Sequence, residues 1–182
     1  MSHFAQKMAF YSAYHQEPTN IWIHVAGVPT ITFSAFVALS TLPLANLNGV
    51  VITAASVMYL LSTMYYLWLD RAIGGVAAVL YGVLLLAAAE VASMGPVWTW
   101  SVFAAGQIIG WGTQIYGHLH FEKNRPAFYE NISQSLISAP IFVVADVFFH
   151  LGFKQELQRE VTQILADTGR LREFSSAQAH GA

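Results

Sequence analysis

Two short polar segments, YHQEPTNIWIHVAGVP and YGHLHFEKNRPAF, stand either side of a long apolar stretch. From Pro18 to Leu69 no charged residue occurs, and from there to Phe121 only Asp70, Arg71 and Glu90 interrupt. A membrane-spanning helix needs about 20 apolar residues, and turn residues near LPLANLNG, LDRAIGG and ASMGPV divide the stretch into four such pieces. The pattern predicts spans at about Trp22 to Leu42, Val50 to Trp68, Ala72 to Val91 and Val97 to Tyr116. Ahead of them, Phe4, Met8 and Tyr11 recur at helical spacing, which predicts a short amphipathic helix at the membrane interface, ended by Pro18. MSHFAQKMAFYSAYHQEP does not resemble a signal-peptide cleavage region, so the first span is expected to stay.

Beyond the fourth span, Ile132 to Phe149 is apolar but mixed: ISQSLIS is polar, Pro140 interrupts, and Asp146 is costly in lipid. A re-entrant or interfacial helical hairpin is expected there. Leu157, Val161, Ile164 and Leu165 then form an apolar stripe on an otherwise charged helix. The expected architecture is all-α: an integral membrane bundle of about four transmembrane helices, a re-entrant or interfacial segment and a C-terminal amphipathic helix. Residues 1–153 are expected to make one polytopic membrane domain with its N-terminal interfacial helix. Residues 154–182 make a cytoplasmic amphipathic helix and a disordered tail, which contains His180.

Composition agrees with a lipid-embedded chain: of 182 residues 55% are hydrophobic and 10% charged, against roughly a quarter charged in soluble domains. There is no cysteine, which removes disulfides and thiolate metal sites. No basic cluster suggests nucleic acid, and no Gly-rich phosphate loop is present. Charge placement is more telling than the net charge of −2. Lys7 precedes the first span, Arg71 lies between the second and third, and Lys123 with Arg125 follow the fourth. The positive-inside rule puts these positions in the cytoplasm. A full fifth span would carry Lys154, Arg159, Arg170 and Arg172 to the other side, which is a second reason to expect a re-entrant segment.

Four spans bring His15 and His24, at the start of the first, to the same cytoplasmic face as His118 and His120, at the end of the fourth. Neutral imidazole is the commonest protein metal ligand, and helix ends from different spans can supply three ligands and leave positions open. His15 and His24 would diverge by about 180° on one unbroken helix. Pro18 is therefore expected to break it, with Thr19 or Asn20 capping the span and His24 about one turn inside. His118 and His120 would diverge by about 200° on a continuous helix, so one of them is the expected ligand. Glu122, Lys123 and Arg125 follow directly, and an arginine beside a metal can pair with a substrate carboxylate.

The run YHQEPTNIWIHVAGVP, followed by GHLHFEKNRPAFYENISQSLISAPIF and FFHLGF, resembles the membrane family of iron(II)-dependent 2-hydroxy fatty acid dioxygenases. The likeness extends from about Phe10 to Phe153, and His15, Asn20, His24, Pro29, His118, Glu122, Arg125 and Pro126 match the family pattern. It implies oxidative shortening of a 2-hydroxy fatty acid by one carbon, with iron(II) as cofactor and dioxygen as co-substrate. The pattern does not demand histidine at positions 120 or 150, and the family carries glutamate where Asp146 stands. A 2-hydroxy acid can chelate iron through its carboxylate and hydroxyl, leaving room for three imidazoles and dioxygen. The implied ligands are His15, His24 and His118, with His120 or Asp146 as a fourth ligand or an orienting group.

Arg125 is the candidate to neutralise the substrate carboxylate, and Glu122 to orient a ligand histidine through its ring N–H. Trp22, Phe33, Trp111 and Tyr116 are candidates to line an acyl slot. The implied partners are the 2-hydroxy fatty acid and the lipid bilayer, in a bacterial inner membrane or the endoplasmic reticulum, with the metal site at the cytoplasmic face. Two other readings of the histidines stay open: a zinc-dependent membrane lipid hydrolase, and a non-enzymatic b-type haem protein holding haem between paired histidines.

Overall fold

The computed structural model describes residues 2–124 and 132–172, so the Arg125 and Pro126 expectations and His180 lie outside the described residues. Helices α1 (His3–Ser12) and α2 (Pro18–Leu39) come first, then a hairpin of β1 (Pro43–Leu47) and β2 (Val50–Thr53). Helices α3 (Ala54–Leu69), α4 (Arg71–Ser93) and α5 (Pro96–Gly117) follow, and α5 runs into a π-helical turn, His118–Glu122. Helices α6 (Ile132–His150) and α7 (Gln155–Asp167) complete the described chain. Apart from the hairpin the fold is all-α, as expected.

Three cuts in the apolar stretch fall where turn chemistry places them. Asp70 accepts from the Ala72 and Ile73 amides at 2.9 and 3.0 Å and caps α4. Between α4 and α5, Gly95 takes a φ of +103° that an L side chain resists, and Pro96 opens the next helix. At the first cut the loop is more ordered than expected. Asn48 and Gly49 both have positive φ, 51° and 90°, which makes the two-residue turn that matches strand twist, and Leu47 pairs with Val50 across it. Val50 to Thr53 is therefore strand and not the start of a span. Thr53 caps α3 by accepting from the Ser56 amide, and α3 has 16 residues.

Among the described residues, α2 and α4 are long and apolar enough to cross a membrane. The apolar part of α6 passes the same criterion only together with α7, from which it is bent by 110°. Pro140 does not divide α6, contrary to expectation; the sharp break comes later, at Leu151–Lys154. The buried run Ile141 to Ala145 packs the helix just after Pro140, and tertiary packing there outweighs the lost backbone bond. The α1 expectation also changes. Phe4, Met8 and Tyr11 are buried, but α6 and α7 cover them: Phe4 and Tyr11 both lie on the Phe142 ring, and α7 presents Leu157, Val161 and Leu165. A protein face, not the bilayer, takes the apolar side of α1.

The chain divides into two compact units, one gathering the described residues of Met1–Ala26 and Thr113–Ala182 and the other Gly27–Gly112. In the second, Gly74 lets α4 press against the backbone of α3 at Tyr66, where any Cβ would collide. The Tyr59 hydroxyl donates to the Ala78 carbonyl at 3.0 Å. Gln107 on α5 donates to the Ile31 carbonyl and the Ser34 hydroxyl of α2, at 3.0 and 2.9 Å. The outer faces of these helices are apolar, with Leu60, Leu61, Val79, Leu86, Ile108 and Ile109 exposed, while Ser34 and Thr99 are buried. That inversion suits a surface solvated by lipid.

Candidate metal centre

The first unit brings His15, His24 and His118 together. His15 lies in the connection between α1 and α2, which opens because α1 ends at Ser12 and Pro18 starts the next helix. Pro18 needs no hydrogen-bond acceptor at this position. The cap is Glu17, not Thr19 or Asn20: its carboxylate accepts from the Asn20 amide at 2.7 Å. His24 lies in the second turn of α2. His118 opens the π-helical turn, which Lys123 ends in the left-handed conformation while its amide bonds the His118 carbonyl. This turn sorts the neighbouring histidines: His118 and Glu122 are buried, and His120 is exposed with its ring stacked on Tyr116. Such π turns recur at functional sites.

The three rings are 4.4, 4.7 and 4.8 Å apart between centroids and lie edge-on at 72–80° to one another. One ligating nitrogen from each lies within 4.8 Å of the others. Tautomers follow from the partners. His15 Nδ1 is 2.8 Å from the Tyr11 carbonyl and His24 Nδ1 2.9 Å from the Asn20 carbonyl. A carbonyl only accepts, so each Nδ1 carries the proton and each Nε2 keeps its lone pair for a cation. His118 Nδ1 is buried with no hydrogen-bond partner among the described residues. Burial and the neighbouring His24 and His118 hold His15 well below the ordinary imidazole range, and burial with His24 takes His118 down to about 3. The donors are neutral, as a metal requires. An orphaned ring nitrogen beside two aimed lone pairs fits a cation held by three imidazoles.

Glu122 does not orient a ligand ring, because backbone carbonyls take the ring N–H groups of His15 and His24. It laces the chain around them instead. Its carboxylate accepts from the Gln16 amide at 3.2 Å, the Glu17 amide at 3.0 Å, the Asn20 side-chain amide at 3.0 Å and the Arg172 guanidinium at 2.9 Å. Gly117 permits this closeness, since a Cβ there would strike the Asn20 side chain. The sequence reading used Arg172 only as a charge that orients the chain and missed its place at the site; no local pattern signals a partner 50 residues away.

Asp146, on α6, is not part of the three-histidine group. Its carboxyl meets the side chain of Tyr11, whose ring stacks on His15 at 3.9 Å and 12°. His150 lies edge-on to Trp22, which is 45% exposed, and Tyr116 is exposed as well. Phe33 and Trp111 belong to the other unit. The haem reading loses its geometry: axial imidazoles need a macrocycle between them, and these rings are edge-on neighbours around one point.

A family profile described as "2-hydroxy-palmitic acid dioxygenase Mpo1-like" matches residues 1–151. The chain is 35% identical over 152 residues to the 2-hydroxy-palmitic acid dioxygenase MPO1 of Saccharomyces cerevisiae, covering 84% of this chain and 83% of that protein. No solved structure matches it.

Proposed function

The chain belongs to the Mpo1-like family, and on that premise we propose that it is an iron(II)-dependent dioxygenase that shortens 2-hydroxy fatty acids by one carbon. The observation that carries the reading is the buried group of His15, His24 and His118 in a chain with a dioxygenase relative. These three imidazoles would hold the metal, His15 and His24 through Nε2. Iron(II), when bound, supplies the redox capacity that dioxygen chemistry needs. Three protein donors leave positions for a 2-hydroxy acid and dioxygen.

The remaining work falls to groups of this chain. The Tyr11 and Asn20 carbonyls fix two tautomers and aim the rings. Glu122 keeps the turn between His15 and His24 closed. Asp146 acts through Tyr11 on His15 and not as a ligand. Arg125 follows the π turn by three residues in sequence and is our candidate to pair with the substrate carboxylate. Burial of the site excludes bulk water from it.

We further read the chain as four-spanning. α5, with 22 residues, is about 33 Å long, enough for a hydrocarbon core of roughly 30 Å, and α3, with 16, is about 24 Å and falls short of it by about four residues. α6 re-enters, and Lys7, Arg71 and Lys123 set the metal centre at the cytoplasmic face. The test is metal exchange. Protein stripped by chelation and reloaded anaerobically with iron(II) should consume dioxygen on addition of a 2-hydroxy fatty acid, and the zinc-loaded form should not. Amide hydrolysis by the zinc form, with no oxygen uptake by the iron form, would instead establish the hydrolase.

A further inference from the structure

Helix α7 and the residues after it lie past the end of the family match, yet they reach the metal centre. α7 is seated on α1 by Leu157, Val161 and Leu165, and Glu160 accepts from the Ser2 amide and hydroxyl, both at 2.9 Å. At its C-terminus Gly169 takes a φ of +65°, and the Arg170 amide returns to the Leu165 carbonyl at 2.8 Å. That glycine closure turns the chain back toward the α1–α2 connection. There Gln16 is bound on both sides: its side-chain N–H donates to the Arg170 carbonyl at 2.9 Å, and its oxygen accepts from the Arg172 amide at 2.8 Å. The Arg172 guanidinium then donates to the Glu122 carbonyl at 3.0 Å and its carboxylate at 2.9 Å.

Glu122 is fully buried, and a buried carboxylate without a cation is costly. Its other donors are neutral: the Gln16 and Glu17 amides and the Asn20 side chain. Arg172 is the one cation among its partners in the described residues. The groups it steadies are the turn that carries His15 and the first turn of the helix that carries His24.

We propose that Arg172 is a positioning residue of the metal centre, and that the segment after α7 is a clamp which locks Glu122 and Gln16 so that His15 and His24 are held in register with His118. The proposal rests on the metal-binding reading above and deepens it. Arg172 acts through Glu122 and touches neither metal nor substrate. Both of its side-chain bonds leave one guanidinium nitrogen, Nη1, and reach a carbonyl and a carboxylate oxygen of the same residue.

The test measures metal affinity by chelator competition, together with hydrogen exchange at the Gln16 and Glu17 amides in the metal-free protein. Arg172→Gln should weaken iron(II) and zinc binding by about tenfold or more, the lower range for loss of an outer partner, and should speed exchange at both amides. Arg172→Lys should recover part of both losses. Combining Arg172→Gln with Glu122→Gln should weaken binding by less than the product of the single effects, since both changes open one clamp. Glu160→Ala, which cuts the exposed Ser2 contact and spares the clamp, should leave both readouts at wild type. Wild-type affinity and wild-type amide exchange in Arg172→Gln would overturn the proposal, as would equal losses in Glu160→Ala. If the wild-type chain binds neither metal, the functional reading fails, while the amide exchange still decides whether the clamp exists.

Discussion

His15 and His24 solve one problem in the same way: each spends its Nδ1–H on the carbonyl four residues before it and keeps Nε2 for a ligand. Single replacement of His15, His24 or His118 by alanine should therefore lower metal affinity at least about 100-fold, more than loss of an outer partner would. Metal analysis after dialysis checks this. Asp146 meets Tyr11, which stacks on His15, so Asp146→Asn should keep metal within about tenfold of wild type, in the range of an orienting group. A loss as deep as that of His118→Ala would make Asp146 a ligand. Glu122→Ala should destabilise the fold by about 3 kcal/mol, because it breaks a buried charge network and strands its donors. Thermal unfolding in detergent reads that difference.

At the scale of elements, the π turn and the glycine before it decide which histidines meet. Gly117→Ala would drive the Asn20 side chain off Glu122, and metal binding should fall with only a modest loss of stability. Gly74→Ala acts oppositely: it should overpack α3 against α4, costing about 1–3 kcal/mol, and leave metal affinity unchanged. Parallel melting and metal titration of the two variants separate these effects. The helices of the apolar stretch were legible because their runs are long and uncharged, and Asp70 and Gly95 mark the ends of theirs. The hairpin was not, although Asn48-Gly49 carries its signal: the flanking strands are as apolar as a span, and hydropathy alone does not separate them. Pro140 misled because its helix is held by the packing of Ile141 to Ala145, which no local pattern records. α-Helical geometry says only that one of His118 and His120 faces away; the preference for His118 came from the family pattern, which does not demand a histidine at position 120.

For the whole molecule, the meeting of His15, His24 and His118 was foreshadowed by the two polar segments that carry them, while its support was not. Glu122 joins residues more than 100 positions apart in sequence, and Arg172 reaches it from beyond the family match. Such bonds are made by the tertiary fold and leave no periodicity. The cysteine-free chain makes its topology directly testable. Single cysteines at Asn46 and at Arg71 should react with impermeant reagents from opposite sides of sealed vesicles, and labelling from one side would refute the four-span reading. The most direct test of the function follows the carbon chain itself. Anaerobically iron-loaded protein, given a 2-hydroxy fatty acid and then dioxygen, should yield by mass spectrometry a fatty acid one carbon shorter, with oxygen uptake, and the His118→Ala protein should yield none. An intact substrate in the presence of bound iron, or equal product from His118→Ala, would contradict the account.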